Sequence, residues 1–263
     1  MIYLARDGFE LYFGASVILS TLEAEPLTAE SHDSRRITLT GYITADGDDA
    51  AICRSDVARL RGLLSKIVCG DGRFSIHIDG KNADLWDGRV TFRREAPFSG
   101  ETAEQFTVSA AIVGGYFHRG LMTVAPVEEA DGFRLPATTE KAFGTLCGVS
   151  HVLAVNGGDC AVPFTAELCP TGTVTHFRMH NLTTGKELTL TRSFAEGDII
   201  RISTHRDSLQ VKLIREGREY NLTGYADDSS ELFLLECGEN VIALGDGAPY
   251  TGTLSFTERF ASF

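Results

Sequence analysis

Apolar and polar residues alternate along most of this chain, the period-two signature of half-buried strands. Ile37, Leu39, Gly41 and Ile43 share one face in this way, and an acidic turn around Gly47 follows them. The apolar run over residues 15–22 reads as a buried strand. One segment breaks the period: Val57, Leu60, Leu64 and Ile67 recur at helical spacing, with Arg54, Arg59, Arg61 and Lys66 on the other side. That pattern predicts a helix lying on a sheet, with Ser55 as N-cap, Asp56 in the first turn and Gly70 as the stop. Phe74, Ile76 and Ile78 alternate next. Gly80 then turns the chain into a strand with Leu85 and Trp86, which Val90 and Phe92 continue. Phe106, Val108, Ala110 and Ile112 mark the last strand of this half, after an exposed loop over residues 95–104 that carries Pro97 and Gly100.

Gly114-Gly115 and the polar run 128–132, stiffened by Pro126 and Pro136, place a boundary near residue 120. Two domains are expected, residues 1–120 and 121–263. Beyond the boundary the β pattern takes over. Val174, Phe177 and Met179 precede a Thr-Thr-Gly turn, Leu188 and Leu190 follow it, and Ile200 and Ile202 come after Gly197. Leu209, Val211 and Leu213 lead into Arg215-Glu216-Gly217-Arg218, a hairpin turn from which Tyr220 and Leu222 return. Leu254 and Phe256 supply a final strand. Turn signals at roughly 8 to 12 residue spacing are those of a two-sheet sandwich. The expected fold is therefore mainly β: a β-rich N-terminal domain with one α-helix, then a C-terminal β-sandwich.

At 263 residues the chain is long enough to bury two cores, and 27 Gly against 7 Pro point to many turns rather than disorder. No window approaches the roughly 18 apolar residues of a bilayer span, and the N-terminus lacks a charged segment followed by an apolar one. The expectation is a protein made in the cytoplasm. Six cysteines, at 53, 69, 147, 160, 169 and 237, form no C-x-x-C pair, so free, mostly buried thiols are expected rather than zinc or a disulfide scaffold. A formal charge of −12 argues against tight binding to a phosphate backbone. The same charge serves solubility, or would keep DNA from sticking in a channel.

Candidate chemistry is sparse. His176 and His180 would share one metal on a helix, but four residues of strand separate them by about 13 Å. Asp46, Asp48 and Asp49 lack the later Gly and bidentate Glu of a calcium loop, so a solvated turn is expected. There is no nucleophile elbow, phosphate-binding loop or dinucleotide fingerprint, and no carboxylate pair stands out as acid and base. Asn181-Leu182-Thr183 and Asn221-Leu222-Thr223 match the glycosylation sequon, a pattern short enough to arise by chance. No catalytic, metal or cofactor-binding residues are expected.

The informative positions are turns. Asn156-Gly157-Gly158-Asp159, Asn181-Leu182-Thr183-Thr184-Gly185-Lys186, Gly197-Asp198-Ile199-Ile200-Arg201-Ile202-Ser203-Thr204 and Gly238-Glu239-Asn240-Val241-Ile242 follow one another in order. This series resembles the C-terminal, galectin-like half of the distal tail protein family of phages and related tail-like particles, with Cys237 where that family tends to have proline. The order of strands, helix, hairpin and long loop in the first half resembles the family's N-terminal domain. The resemblance implies a structural hub protein forming a hexameric ring that joins the tail tube to the tip or baseplate. Its partners would be copies of itself, tail-tube and hub proteins and receptor-binding proteins, without sequence-specific nucleic acid or membrane. It also implies that Asn156, Gly157, Asp159, Asn181, Gly185, Gly197, Asp198, Gly238 and Asn240 form turns rather than hold ligands. The alternative is a carbohydrate-binding module or host-surface adhesin that uses the β-sandwich to hold glycans. Against it, the galectin H-x-N-x-R set is out of place in His176-Phe177-Arg178-Met179-His180-Asn181, and the one tryptophan, Trp86, lies in the other half.

Overall fold

The computed structural model describes residues 1–28, 35–45, 50–93, 103–130, 146–245 and 249–263. Asp46, Gly47, Asp48, Asp49, Pro97, Gly100 and Pro136 lie outside the described residues. The chain divides into two compact units, Met1–Arg119 with Phe260–Phe263, and Gly120–Arg259. Among the described residues it is mainly β, with a single α-helix.

In the first unit the elements are β1 (Ile2–Arg6), β2 (Phe9–Tyr12), β3 (Val17–Ala24), β4 (Arg36–Thr44), α1 (Ala50–Cys69), β5 (Phe74–Ile78), β6 (Lys81–Arg93) and β7 (Ala103–Ile112), then the start of β8 (Phe117–Val124). The strands pair antiparallel in the order β3-β4-β7-β6-β5-β1-β2. Leu4, Ile37, Leu39, Ile43, Ile76, Phe106 and Val108 belong to the core of this unit, and α1 adds Val57, Leu64, Ile67 and Val68 to it. Each such side chain contributes roughly 1.5–3 kcal/mol on burial.

Three local expectations are corrected here. The helix begins at Ala50, so Ser55 lies inside it rather than at its cap; Ala50 and Ala51, strong helix formers, carry it upstream by more than a turn. Residues 15–22 are not a buried strand: among the described residues β3 pairs with β4 alone, and as the edge of the sheet it leaves Ile18 44% exposed. Glu104, expected in a loop, sits in β7, where it is buried and meets Arg61 of α1 at 3.0 Å.

The second unit continues with β9 (Val127–Ala130), β10 (Leu146–Asn156), β11 (Phe164–Pro170), β12 (Phe177–Asn181), β13 (Glu187–Leu190), β14 (Ile199–Ser203), β15 (Gln210–Arg215), β16 (Arg218–Asn221), β17 (Gly238–Leu244) and β18 (Tyr250–Phe260). It is a β-sandwich. One layer runs β16-β15-β14-β11-β18-β8 and the other β13-β12-β17-β10-β9. Val152, Ala154, Phe177, Met179, Ile242 and Leu244 of one layer share a core with Phe164, Ala166, Ile200, Ile202, Leu213 and Leu254 of the other. Phe177 sits edge-on to Phe194 and Tyr250, with ring centroids 6.4 and 5.5 Å away. The hairpin read from the sequence closes as a two-residue turn: Arg215 faces Arg218, and Glu216 and Gly217 take φ of 51° and 74°. Leu209, read as an inward strand residue, instead follows a single 3₁₀ turn and is 61% exposed.

Candidate functional site

The turn positions of the sandwich resolve into a hydrogen-bonded set. Asn156 ends β10, Asn181 ends β12 and Asn240 lies near the start of β17, and all three are buried. A buried amide must spend its donors and acceptor on partners, and each of these does. Asn156 donates Nδ2 to the carbonyls of Cys160 (2.9 Å) and Leu235 (3.2 Å), and its Oδ1 accepts from Gly158 N–H. The Asn181 Oδ1 accepts from Thr183 N–H (3.0 Å) and Thr184 N–H (3.2 Å), folding the turn that Gly185 completes. Asn240 accepts from Glu236 N–H (3.0 Å) and donates back to the Glu236 carbonyl (2.8 Å). Asn181 Nδ2 donates to Asn240 Oδ1 at 3.3 Å, joining two of the turns.

Gly185, Gly197 and Gly238 take φ of 76°, 89° and 89°, a region that residues with a Cβ rarely adopt. Gly157 donates its N–H to the buried Glu258 carboxylate at 2.8 Å, and Asp159 donates its backbone N–H to the Arg259 carbonyl. Asp198, just before β14, is buried and accepts from Arg215 Nε (2.7 Å), Arg215 Nη2 (2.5 Å) and Ala195 N–H (2.8 Å). The Arg215 guanidinium holds the Asp198 carboxyl below the usual carboxylate range, against an opposing effect of burial.

Sequence reading missed the arginines that organise the first unit. Arg35 is buried and donates Nε to the Glu25 carbonyl (2.6 Å), Nη1 to the Gly115 carbonyl (2.6 Å) and Nη2 to the Ala261 carbonyl. Arg6 donates Nη2 to the Gly72 carbonyl (2.8 Å) and Nε to the Arg73 carbonyl (3.2 Å). No periodicity reveals a side chain whose partners lie 10, 80 and 226 residues away.

Reactive groups stay apart. Among the described residues no three His, Cys, Asp or Glu side chains gather as a metal site. No helix among them is long and apolar enough to cross a membrane. The thiols are not mostly buried as expected: Cys69, at the end of α1, and Cys237, in the turn before β17, are exposed. Burial, then Glu167, pushes the Cys169 thiol up, away from thiolate. Asn181, although in a sequon, is fully buried with its amide in use, so it offers no glycan acceptor in the folded state. Tyr220 and Tyr225 are exposed, and both rings stack against Arg192, whose Cζ lies 5.8 and 4.8 Å from their centroids.

Residues 157–260 match the family model described as the siphovirus-type tail component, C-terminal domain. The match lies in the second unit, Phe260 apart, and covers less than half of the chain. No curated protein matches the chain. Among solved structures, the Dit protein of phage SPP1, described as a paradigm of hub adsorption apparatus in phages infecting Gram-positive hosts, aligns over 99% of both chains with a TM-score of 0.57 and 12% identity. That likeness extends the distal tail fold across both units. Chains of the phage P2 baseplate in its activated conformation, with calcium and with strontium, align over 98% and 97% of both chains, at 11% identity and TM-scores of 0.43 and 0.39.

Proposed function

We propose that this chain is a distal tail protein, which forms a hexameric ring around the tail channel and joins the tail tube to the tip or baseplate. The N-terminal domain, residues 1–120, builds the ring, and the C-terminal domain, residues 121–263, projects from it as a platform for hub and receptor-binding proteins. The ring assembles in the bacterial cytoplasm, without catalysis, cofactor, membrane or sequence-specific nucleic acid. The observation that carries this reading is the agreement, over the whole length of both chains, with a distal tail protein described as a hub. The strand edges support it: β2 and β3 end the sheet of the first unit and leave backbone donors and acceptors for a neighbouring copy. Contacts between unlike edges of identical subunits close into a ring when the rotation allows. The signature asparagines and glycines then shape turns and bind no ligand.

The test is the mass of the purified chain over a concentration series, with negative-stain electron microscopy of the same fractions. Six-fold rings with a central hole are expected. A monomer at every concentration, also after mixing with tail-tube and hub proteins, would overturn the reading.

A further inference from the structure

A cleft of about 640 Å³ opens in the first unit between the turn that follows α1 and the middle of β6. Its chemistry-bearing residues are Asp71, Arg73, Trp86 and Asp87, with Val113 beside them. The cleft is built by a β-bulge. Up to Leu85 the odd-numbered residues of β6 face the core; the register with β7 then shifts between Trp86 and Arg89, and Val90 and Phe92 face inward instead. Trp86 and Asp87 therefore turn outward side by side. Trp86 is 48% exposed, and among the described residues no ring or cation stacks on it.

Both walls are pinned. Asp87 takes a φ of 49°, a strained conformation for a residue with a Cβ, and Arg36 holds it through an ion pair at 3.1 Å and a bond to its carbonyl at 3.3 Å. Behind it Gly88 leaves no room for a side chain, since a Cβ would lie 2.6 Å from the Val68 carbonyl oxygen and 2.7 Å from the Phe74 ring. On the facing wall, Arg6 ties down the carbonyls of Gly72 and Arg73. Asp71 and Arg73 make no ion pair with another described side chain. A flat, open indole thus sits among carboxylates, a guanidinium and glycine backbone, with Val113 as the other apolar side chain in the lining.

Such a lining suits a ligand that is apolar on one face and hydroxylated around its rim. A peptide would ask for further apolar pockets, and an aromatic ligand would leave the charges unmatched. A pyranose ring has the required character, and the volume lies inside the roughly 300–1,000 Å³ typical of small-molecule sites. We propose that this cleft is a saccharide-binding site, with Trp86 stacked on the sugar face and Asp71, Asp87 and Arg73 bonded to its hydroxyls. The site does not depend on the ring reading, and its binding persists in a monomer.

Trp86 is the chain's one tryptophan, so intrinsic indole fluorescence of the full chain reports on this cleft alone. The chain is titrated with N-acetylglucosamine trimer, maltotriose and lactose, with glycerol as a polyol control. A saturable change with at least one saccharide, and none with glycerol, is expected. By calorimetry with that saccharide, Trp86→Phe and Asp71→Asn each weaken binding about ten-fold, Trp86→Ala abolishes it, and the oligomeric mass is unchanged in all three. No saturable response to any of the three saccharides would overturn the proposal. So would loss of the oligomer in Trp86→Phe with no saccharide response in the parent chain, which would make the cleft a contact between subunits.

Discussion

The two units hold their irregular segments by different means. In the first, long cationic side chains reach across the fold to backbone carbonyls: Arg35 gathers Glu25, Gly115 and Ala261, and Arg6 gathers Gly72 and Arg73. In the second, short amides at strand ends close the turns beside them, as Asn181 does with Thr183 and Thr184 and Asn240 with Glu236. The turn that a short side chain closes lies within a few residues of it, so those partners stand in a fixed sequence pattern, even where a further bond, as from Asn156 to Leu235, goes to a distant residue. An arginine spans distances at which its partners can be any residue, because it binds their backbone and not their side chains. This difference explains why the family signature is concentrated in the second unit.

Three substitutions sharpen the contrast. The largest effect is expected from Arg35→Met, which strips three carbonyls of their donor, that of Gly115 in a buried setting, at a cost of about 4 kcal/mol. In urea, a fluorescence-detected transition at Trp86, which lies in the first unit, moves to lower denaturant, while a probe placed in the sandwich holds its midpoint. Equal movement of both would show that the units do not melt separately. Asn240→Ala follows, costing about 3 kcal/mol through the unpaired Glu236 backbone and the Asn181 amide. Here the sandwich probe moves and Trp86 does not, and hydrogen exchange at Glu236 N–H accelerates.

The smallest effect is a matter of pH. The Asp198 carboxyl has a folded pKa below its unfolded value of about 3.9. Its contribution is therefore complete above that unfolded value and is lost as pH falls through the folded one. Thermal melts of the sandwich should drop across that acid window, and Asp198→Asn should flatten the drop there. A drop of equal steepness in the variant would assign the acid sensitivity to other carboxylates.

Much of the fold was legible because it follows from periodicity. β4, β5 and β7 announce themselves by strict alternation, and the Glu216-Gly217 turn by its residue types. The misses share a cause: each depends on what neighbours an element has. The helix start at Ala50 lies upstream of the residue that looked like its cap. β3 is apolar enough for an interior, yet it is exposed because, among the described residues, no strand pairs on its far side. The exposed cleft at Trp86 had no signal in the alternation, because a bulge changes phase by a single residue.

The sequence by itself determined the class of fold and the residue types of the sandwich turns, since both are written in local spacing. Only the tertiary structure decided that Asn181 and Asn240 meet across 59 residues, that Arg35 clamps the C-terminal Ala261, and that Trp86 faces solvent beside Asp87. Local spacing is set by the covalent chain and its backbone preferences. Which distant groups come within hydrogen-bonding reach is set by how the sheets pack, and packing is a property of the whole unit.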